Sequence, residues 1–368
     1  MKTLRKFLYG EVVGAVVLVT LGFIGLFFFF DFVEELQNVA RNAKVGYQIP
    51  QALAYVGLMA PSHVYELLPI TVLIGTIFVM ARFAQSSEFT ILRTSGLGPW
   101  RALRTLGLLG LAFTLFTFAV GDYIAPLADK TAQKLRAQFL GNLTVGKTGA
   151  WLKDRQLYGH FAVNVGALTA DAEMRDVQVF EYDNKGFMVS ITRAETASFG
   201  DGDYWQLRNV KRTDFPALES PHAAISATEQ EMLRWPTKLT AEMVAAAVLK
   251  PERMGTVALF QYMHHLKNNG QSAQKYEIQF WKKVFYPLSC LVMVVLALPF
   301  AYFHFRSGSI ATYVFAGVMA GISFVLLNNV LNDLGNLHGW QPWFTAALPG
   351  MIYSVLSLSA FTWLVLRR

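Results

Sequence analysis

The segment Gly141-Asn142-Leu143-Thr144-Val145-Gly146-Lys147-Thr148 fits G-x-x-x-x-G-K-[ST] letter for letter. That pattern cradles nucleotide phosphates only where a buried strand leads into it and a helix N-terminus follows, because those two elements aim its amides at the anion. Here a polar helical stretch precedes it and Gly149-Ala150-Trp151 follows, so the match reads as chance. His264 and His265 are adjacent, whereas chelation from one helix face needs i, i+4 spacing, so they read as solvent-exposed. The lone Cys290 sits in an apolar stretch, which excludes an intrachain disulfide and suits a small buried hydrophobe. No G-x-S-x-G and no paired-carboxylate signature is present. What remains is anion recognition and docking.

Two groups of residues have the types for that. Lys130, Lys134 and Arg136 stand together, as do Lys275, Lys282 and Lys283. Arg binds phosphate bidentately and Lys binds it as a point charge, while the plainer alternative is lysines snorkelling to lipid headgroups. The second group is Arg82-Phe83-Ala84-Gln85-Ser86-Ser87-Glu88-Phe89-Thr90-Ile91-Leu92-Arg93, stopped by Gly96-Leu97-Gly98-Pro99. Ser87 is a good N-cap and Glu88 suits a first helical turn. Phe89 and Leu92, three apart, share a face that fits a partner's groove; an interfacial helix held by anionic lipid is the other reading.

The elements that position these groups follow from composition. Of 368 residues, 54% are apolar and only 15% charged, with a mean hydropathy of +0.35. A soluble domain carries about 25% charge. The deficit is concentrated in six stretches without Asp, Glu, Lys or Arg: 12–30, 67–81, 105–121, 284–303, 307–332 and 339–366. About 20 apolar residues cross a bilayer as a helix. A polytopic membrane protein with six transmembrane helices is expected, and a soluble enzyme, a nucleic-acid-binding protein and a secreted disulfide scaffold are excluded. The N-terminal run ends in Phe27-Phe28-Phe29-Phe30 without a small-residue cleavage pattern, which suits a retained anchor. The second span is the weakest signal, because His63 and Glu66 interrupt its outer end.

Cations set the orientation. Lys2, Arg5, Lys6, Arg82, Arg93, Arg101, Arg104, Arg306, Arg367 and Arg368 fall on one side, and only Arg41 and Lys44 fall in the alternate short loops. Both termini are therefore expected in the cytoplasm, and the segment between spans 3 and 4 outside. Trp100, Trp281, Trp340, Trp343 and Trp363 fall at span ends, where an indole is half wet.

Residues 122–279 hold 18 basic and 18 acidic residues, so the net charge of +7 belongs to the membrane part. Short runs at 156–165, 177–182, 187–192 and 204–210 read as strands, with Asp183-Asn184-Lys185-Gly186 as a hairpin turn. Helical stretches at 125–140 and 251–268 flank them. The expected organisation is 1–121 with spans 1 to 3, 122–279 as an antiparallel β domain, and 280–368 with spans 4 to 6.

The three-plus-three arrangement around a β domain resembles the LptF/LptG permease family of the lipopolysaccharide export machine. The resemblance is carried by Ser87-Glu88-Phe89 with Arg93-Thr94-Ser95-Gly96, by Arg136-Ala137-Gln138, by Gly149-Ala150-Trp151-Leu152-Lys153-Asp154, and by Phe280-Trp281-Lys282-Lys283 with Pro287-Leu288. The third and fourth elements look more like the LptG side of the family. The resemblance implies a periplasmic β-jellyroll fold in an inner-membrane protein. It further implies a heterodimer with an LptF-like chain, a cytoplasmic LptB-like ATPase dimer and an LptC-like single-span protein. ATP is then used by the ATPase, with no cofactor in this chain. The connector at about 85–95 becomes a coupling helix, with Glu88, Phe89, Leu92 and Arg93 meeting the ATPase. Arg136 matches a position where the family contacts lipopolysaccharide, with Lys134, Lys282 and Lys283 as further candidates. Where some members present lysines at the outer end of span 1, this chain reads Asp31-Phe32-Val33-Glu34-Glu35-Leu36-Gln37-Asn38, leaving Arg41 and Lys44 as substitutes.

The mechanism so implied extracts lipid from the outer leaflet into a cavity walled by spans 1 and 5 of this chain and its partner and passes it through the β domain to a periplasmic bridge. A membrane-tethered sensor or scaffold that signals without moving lipid is the competing class. An outer-face enzyme lacks a candidate nucleophile or metal site.

Overall fold

The computed structural model describes residues 2–42, 46–86, 98–140, 143–144, 149–156, 159–169, 173–183, 185–200, 203–216, 224–240, 243–244, 251–302 and 310–366. The chain divides into two compact units: Met1–Glu34, Met59–Ala128 and Glu277–Arg368 form the first, and Glu35–Leu58 with Asp129–Tyr276 form the second.

Among the described residues the α-helices are α1 Lys2–Asn42, α2 Ile49–Gln85, α3 Pro99–Ala119, α4 Ala125–Leu140, α5 Thr256–Asn268, α6 Gln274–Phe285, α7 Ser289–Ala297, α8 Ile310–Leu337 and α9 Pro342–Leu366. A π-helical turn, Val120–Ile124, joins α3 to α4. Among the described residues six stretches are long and apolar enough to cross a membrane: Arg5–Arg41, Ile49–Gln85, Pro99–Arg136, Gln274–Ala301, Ile310–Leu337 and Pro342–Trp363. The fold is that of a multi-pass helical membrane protein with a separate antiparallel β region.

The second span, weakest in sequence, is the centre of the first unit. In its apolar window 83% of residues are buried, against 17% in the first and fifth spans. Val72, Leu73, Ile77 and Met80 of α2 pack with Val12 and Val16 of α1, Leu106 and Leu109 of α3, and Cys290, Met293, Val294 and Ala297 of α7. Surrounding helices explain how α2 keeps Pro61 and Pro69 inside it, since neighbours can satisfy the backbone groups a proline frees. They also explain the interrupted polar end: His63 Nε2 lies 2.5 Å from Asp31 Oδ2, and the Glu66 carbonyl accepts from the Tyr286 hydroxyl at 2.5 Å. Arg82 pairs with Glu11 at the other end of these spans.

In the second unit, β2 Ala150–Gln156, β3 Gly159–Leu168, β4 Met174–Tyr182, β5 Met188–Phe199, β6 Tyr204–Asp214 and β7 Ser226–Pro236 pair antiparallel in chain order, and β1 Leu143–Thr144 also pairs with β3. The inserted β domain that the sequence led to is present: among the described residues its strands form one seven-stranded antiparallel sheet, whose core holds Val163, Val165, Met174, Val177, Ala194, Ala197, Trp205, Leu207 and Val210.

The burial alternation breaks along one line across that sheet. Met174 and Val177, Ala194 and Ala197, and Leu207 and Val210 are buried at a spacing of three instead of two. They are in register, Met174 opposite Ala197 opposite Leu207, and Val177 opposite Ala194 opposite Val210. Within this line Asp176 (φ 51°) and Asn209 (φ 52°) have left-handed backbone. Asp and Asn tolerate that conformation better than other non-glycine residues, and it reverses which face the following side chains take. In β4 and β6 both halves of the strand therefore point apolar residues into one core.

Candidate functional site

Arg136 lies near the end of α4, in the second unit. Its Nη1 donates to the Tyr55 hydroxyl at 3.2 Å, and its guanidinium carbon stands 5.2 Å from the centre of the Tyr55 ring. Its Nε lies 3.7 Å from Glu35 Oε1, longer than a hydrogen bond. Glu35 is buried yet well held: Tyr47 Oη donates to Oε1 at 2.7 Å and Asn38 Nδ2 to Oε2 at 3.0 Å. Phe139 packs on the Tyr47 ring at 5.9 Å. Burial first, and then the Glu35 carboxylate, push the Tyr47 phenol well above its ordinary value, so it stays a donor. The Arg136 side chain is 33% exposed, against 5% for Glu35. This places a guanidinium on an aromatic seat beside a fixed carboxylate, with one edge open: an arrangement able to hold an oxyanion. The sequence pointed to Arg136 and not to Glu35, Tyr47 or Tyr55. The only signal was the acidic departure at the outer end of span 1.

The other expected cations divide. Lys134, two residues before Arg136 on α4, is exposed, as are Arg41 near the end of α1, Lys130 and Lys275. Lys44 and the four expected coupling residues, Glu88, Phe89, Leu92 and Arg93, lie outside the described residues. Lys282 is half-buried. Lys283 is buried, and its Nζ donates to the Gly121 carbonyl at 2.9 Å. Gly121 belongs to the π-helical turn, and a Cβ there would fall 2.2 Å from the Tyr65 ring. Lys283 also stands 5.8 Å from the centre of that ring.

A family model described as "Lipopolysaccharide export system permease LptF/LptG" matches residues 6–367. The chain belongs to this family. Similar proteins include the "Lipopolysaccharide export system permease protein LptG" of Haemophilus influenzae, 27% identical over 369 residues, covering 100% of this chain and 99% of the relative. The protein of the same name from Escherichia coli (strain K12) is 27% identical over 340 residues, covering 92% and 90%.

In this LptF/LptG family member, the elements that carried the resemblance have visible structural work. Gly149 has φ +73°, and a Cβ there would meet Asn164 Oδ1 and the Val165 carbonyl at 2.9 Å, so the entry to β2 requires glycine. Asp154 is buried and accepts from Thr237 Oγ1 at 2.7 Å and Gln156 Nε2 at 2.9 Å. The same stretch is tied down where Trp205 Nε1 donates to the Leu239 carbonyl at 2.7 Å. The Asp of the Gly-x-Trp-x-Lys-Asp element thus fastens the chain after β7 to β2. Trp151 stays exposed and stacks on Phe180 at 5.7 Å.

The remaining motifs resolve by geometry. The G-x-x-x-x-G-K-[ST] letters are described only at Leu143–Thr144; helix α4 precedes them and strand β2 follows, the reverse of a phosphate-cradling order. His264 is exposed as expected. His265 is half-buried instead, because α5 turns it toward Tyr262, with ring centres 6.2 Å apart. Burial pulls its pKa below the ordinary value, and Asp154 opposes that pull. Cys290 is buried beside Thr117 Oγ1 at 3.2 Å.

Proposed function

We propose that this chain is a permease subunit of a lipopolysaccharide exporter. It takes lipid from the outer leaflet of the inner membrane and passes it through the β domain toward a periplasmic bridge. The observation that carries this reading is Arg136: an open-edged guanidinium on an aromatic seat, in a chain with six membrane-crossing helices, fits a phosphorylated lipid headgroup. The family match supports it, and so do the relatives named as lipopolysaccharide export permeases.

In this reading Arg136, Lys134, Arg41, Lys44 and Lys282 meet the lipid phosphates. Lys283 is committed instead to the Gly121 carbonyl and orders the spans of its own unit. Glu88, Phe89, Leu92 and Arg93 dock a separate cytoplasmic ATPase dimer, LptB-like by resemblance. An LptF-like permease forms the other half, and an LptC-like single-span protein joins near span 1. Both termini are cytoplasmic and the β domain periplasmic. This chain supplies shape, phosphate contacts and transmission, while the free energy and any nucleotide chemistry come from the ATPase.

The test is photocrosslinking to lipopolysaccharide in the assembled exporter. Arg136→Glu is expected to weaken the crosslink severalfold, and Glu88→Lys to abolish export with the lipid still bound. An unchanged crosslink in the first, or normal lipid-stimulated ATPase turnover in the second, removes the corresponding role.

A further inference from the structure

Arg136 already has an anion beside it. Glu35 Oε1 stands 3.7 Å from Arg136 Nε, too far for a hydrogen bond, so this pair is held by charge attraction alone. Each carboxylate oxygen has its own anchor: Oε1 accepts from Tyr47 at 2.7 Å and Oε2 from Asn38 at 3.0 Å. Losing Arg136 would therefore not strand a buried carboxylate without hydrogen bonds. Tyr55 grips the guanidinium from the other side through its hydroxyl and its ring. The cation is thus fixed by one partner and only leaned on by the other.

We infer that Glu35 is an internal competitor for Arg136, occupying the guanidinium while no phosphate is present, yielding it to a lipid phosphate, and speeding that phosphate's release. The inference rests on the reading of Arg136 as a phosphate contact. A phosphate can approach Arg to about 2.7–2.9 Å and bind two N–H groups at once, which outcompetes a carboxylate held back at 3.7 Å. The outcompeted carboxylate does not move away, because Tyr47 and Asn38 keep it in place. A bound phosphate therefore sits next to a like charge that cannot relax. Such repulsion raises the off-rate more than it alters the on-rate. A carrier that must hand its cargo onward gains from this, since a phosphate held too tightly stalls transfer. Glu35 is a positioning residue in this scheme, with Tyr47 and Asn38 holding it and Tyr55 holding its rival's target.

The experiment uses the full-length chain in nanodiscs, with labelled lipopolysaccharide as probe and affinity and dissociation rate as readouts. Glu35→Gln keeps the shape and removes the charge. It is expected to tighten binding about five- to tenfold, mainly through slower dissociation. Arg136→Gln should weaken binding, and adding Glu35→Gln to it should restore nothing. With dephosphorylated lipid, wild type and Glu35→Gln should be equal. Unchanged or weaker binding in Glu35→Gln, with Arg136→Gln still weakened, overturns the competitor role and leaves the Arg136 reading standing. Unchanged binding in Arg136→Gln sinks both. A gain that survives in the double variant or with dephosphorylated lipid also overturns the inference. Should Glu35→Gln fail to fold, Glu35→Asp carries the test: its carboxylate is drawn back by one methylene, and its dissociation must be slower than wild type.

Discussion

Lys283 Nζ donates to the Gly121 carbonyl at 2.9 Å, joining helix α6 to the π-helical turn between α3 and α4. The ammonium and the Tyr65 ring stand 5.8 Å apart, and Gly121 leaves that ring the room it needs. One buried cation thus ties three spans. Lys283→Ala leaves the carbonyl without this donor and opens a void, and is expected to cost about 2–4 kcal/mol. Lys283→Met fills the void and should cost less than half as much. Unfolding temperature in detergent measures both; equal losses would show that packing plays no part.

The fastening of Asp154 to Thr237 and Gln156 leads to a second expectation. Asp154→Ala removes a buried, doubly hydrogen-bonded carboxylate and should destabilise the β domain by about 1–3 kcal/mol. Proteolysis should then begin in the stretch after β7, near Leu239, whose carbonyl Trp205 holds. Lipid crosslinking per folded molecule should be unchanged, since Asp154 is not among the Arg136 contacts.

The left-handed backbone at Asn209 (φ 52°) discriminates between substitutions. Asn209→Val forces a β-branched residue into that region and should cost about 1–3 kcal/mol. Asn209→Gly, which accepts the conformation, should stay within about 1 kcal/mol of wild type despite losing the contact to Glu195. If thermal unfolding ranks Val above Gly, the break in the burial alternation does not depend on backbone conformation.

His265 gives the β domain a pH dependence. Burial lowers its pKa below the ordinary 6.5 in the folded state, against the pull of Asp154. In the window below 6.5 the unfolded chain takes up a proton that the folded chain refuses, so stability falls as pH falls. Above that value the group contributes no pH slope. The difference in unfolding temperature between wild type and His265→Gln should therefore shift against wild type between pH 7.5 and 5.5. A constant difference across that interval would remove His265 as the cause.

Much of this was legible before any coordinates. Charge-free runs marked all six spans, because each residue of a transmembrane helix faces the same apolar requirement whatever its neighbours are. Alternation marked β5, where Phe187 to Thr192 reads as a strand. The sheet-wide line through Asp176 and Asn209 was present as a spacing of three between apolar residues, but a step of three breaks the period-two pattern on which strand reading depends. His265 was misread for a similar reason: adjacency excluded chelation, yet said nothing about which ring α5 would turn inward.

Sequence by itself determined the solvent this protein lives in, the number of its spans and the family to which it belongs, and it offered Arg136 as one of several candidate cations. Only the tertiary structure decided that Lys283 is buried while Lys134 is exposed, that Asp154 is a fastener, and that Glu35 stands beside Arg136. The reason is physical. Hydropathy and charge bias are sums over neighbouring residues, whereas hydrogen-bond partners such as Arg136 and Tyr55, 81 positions apart, meet only once helices have packed.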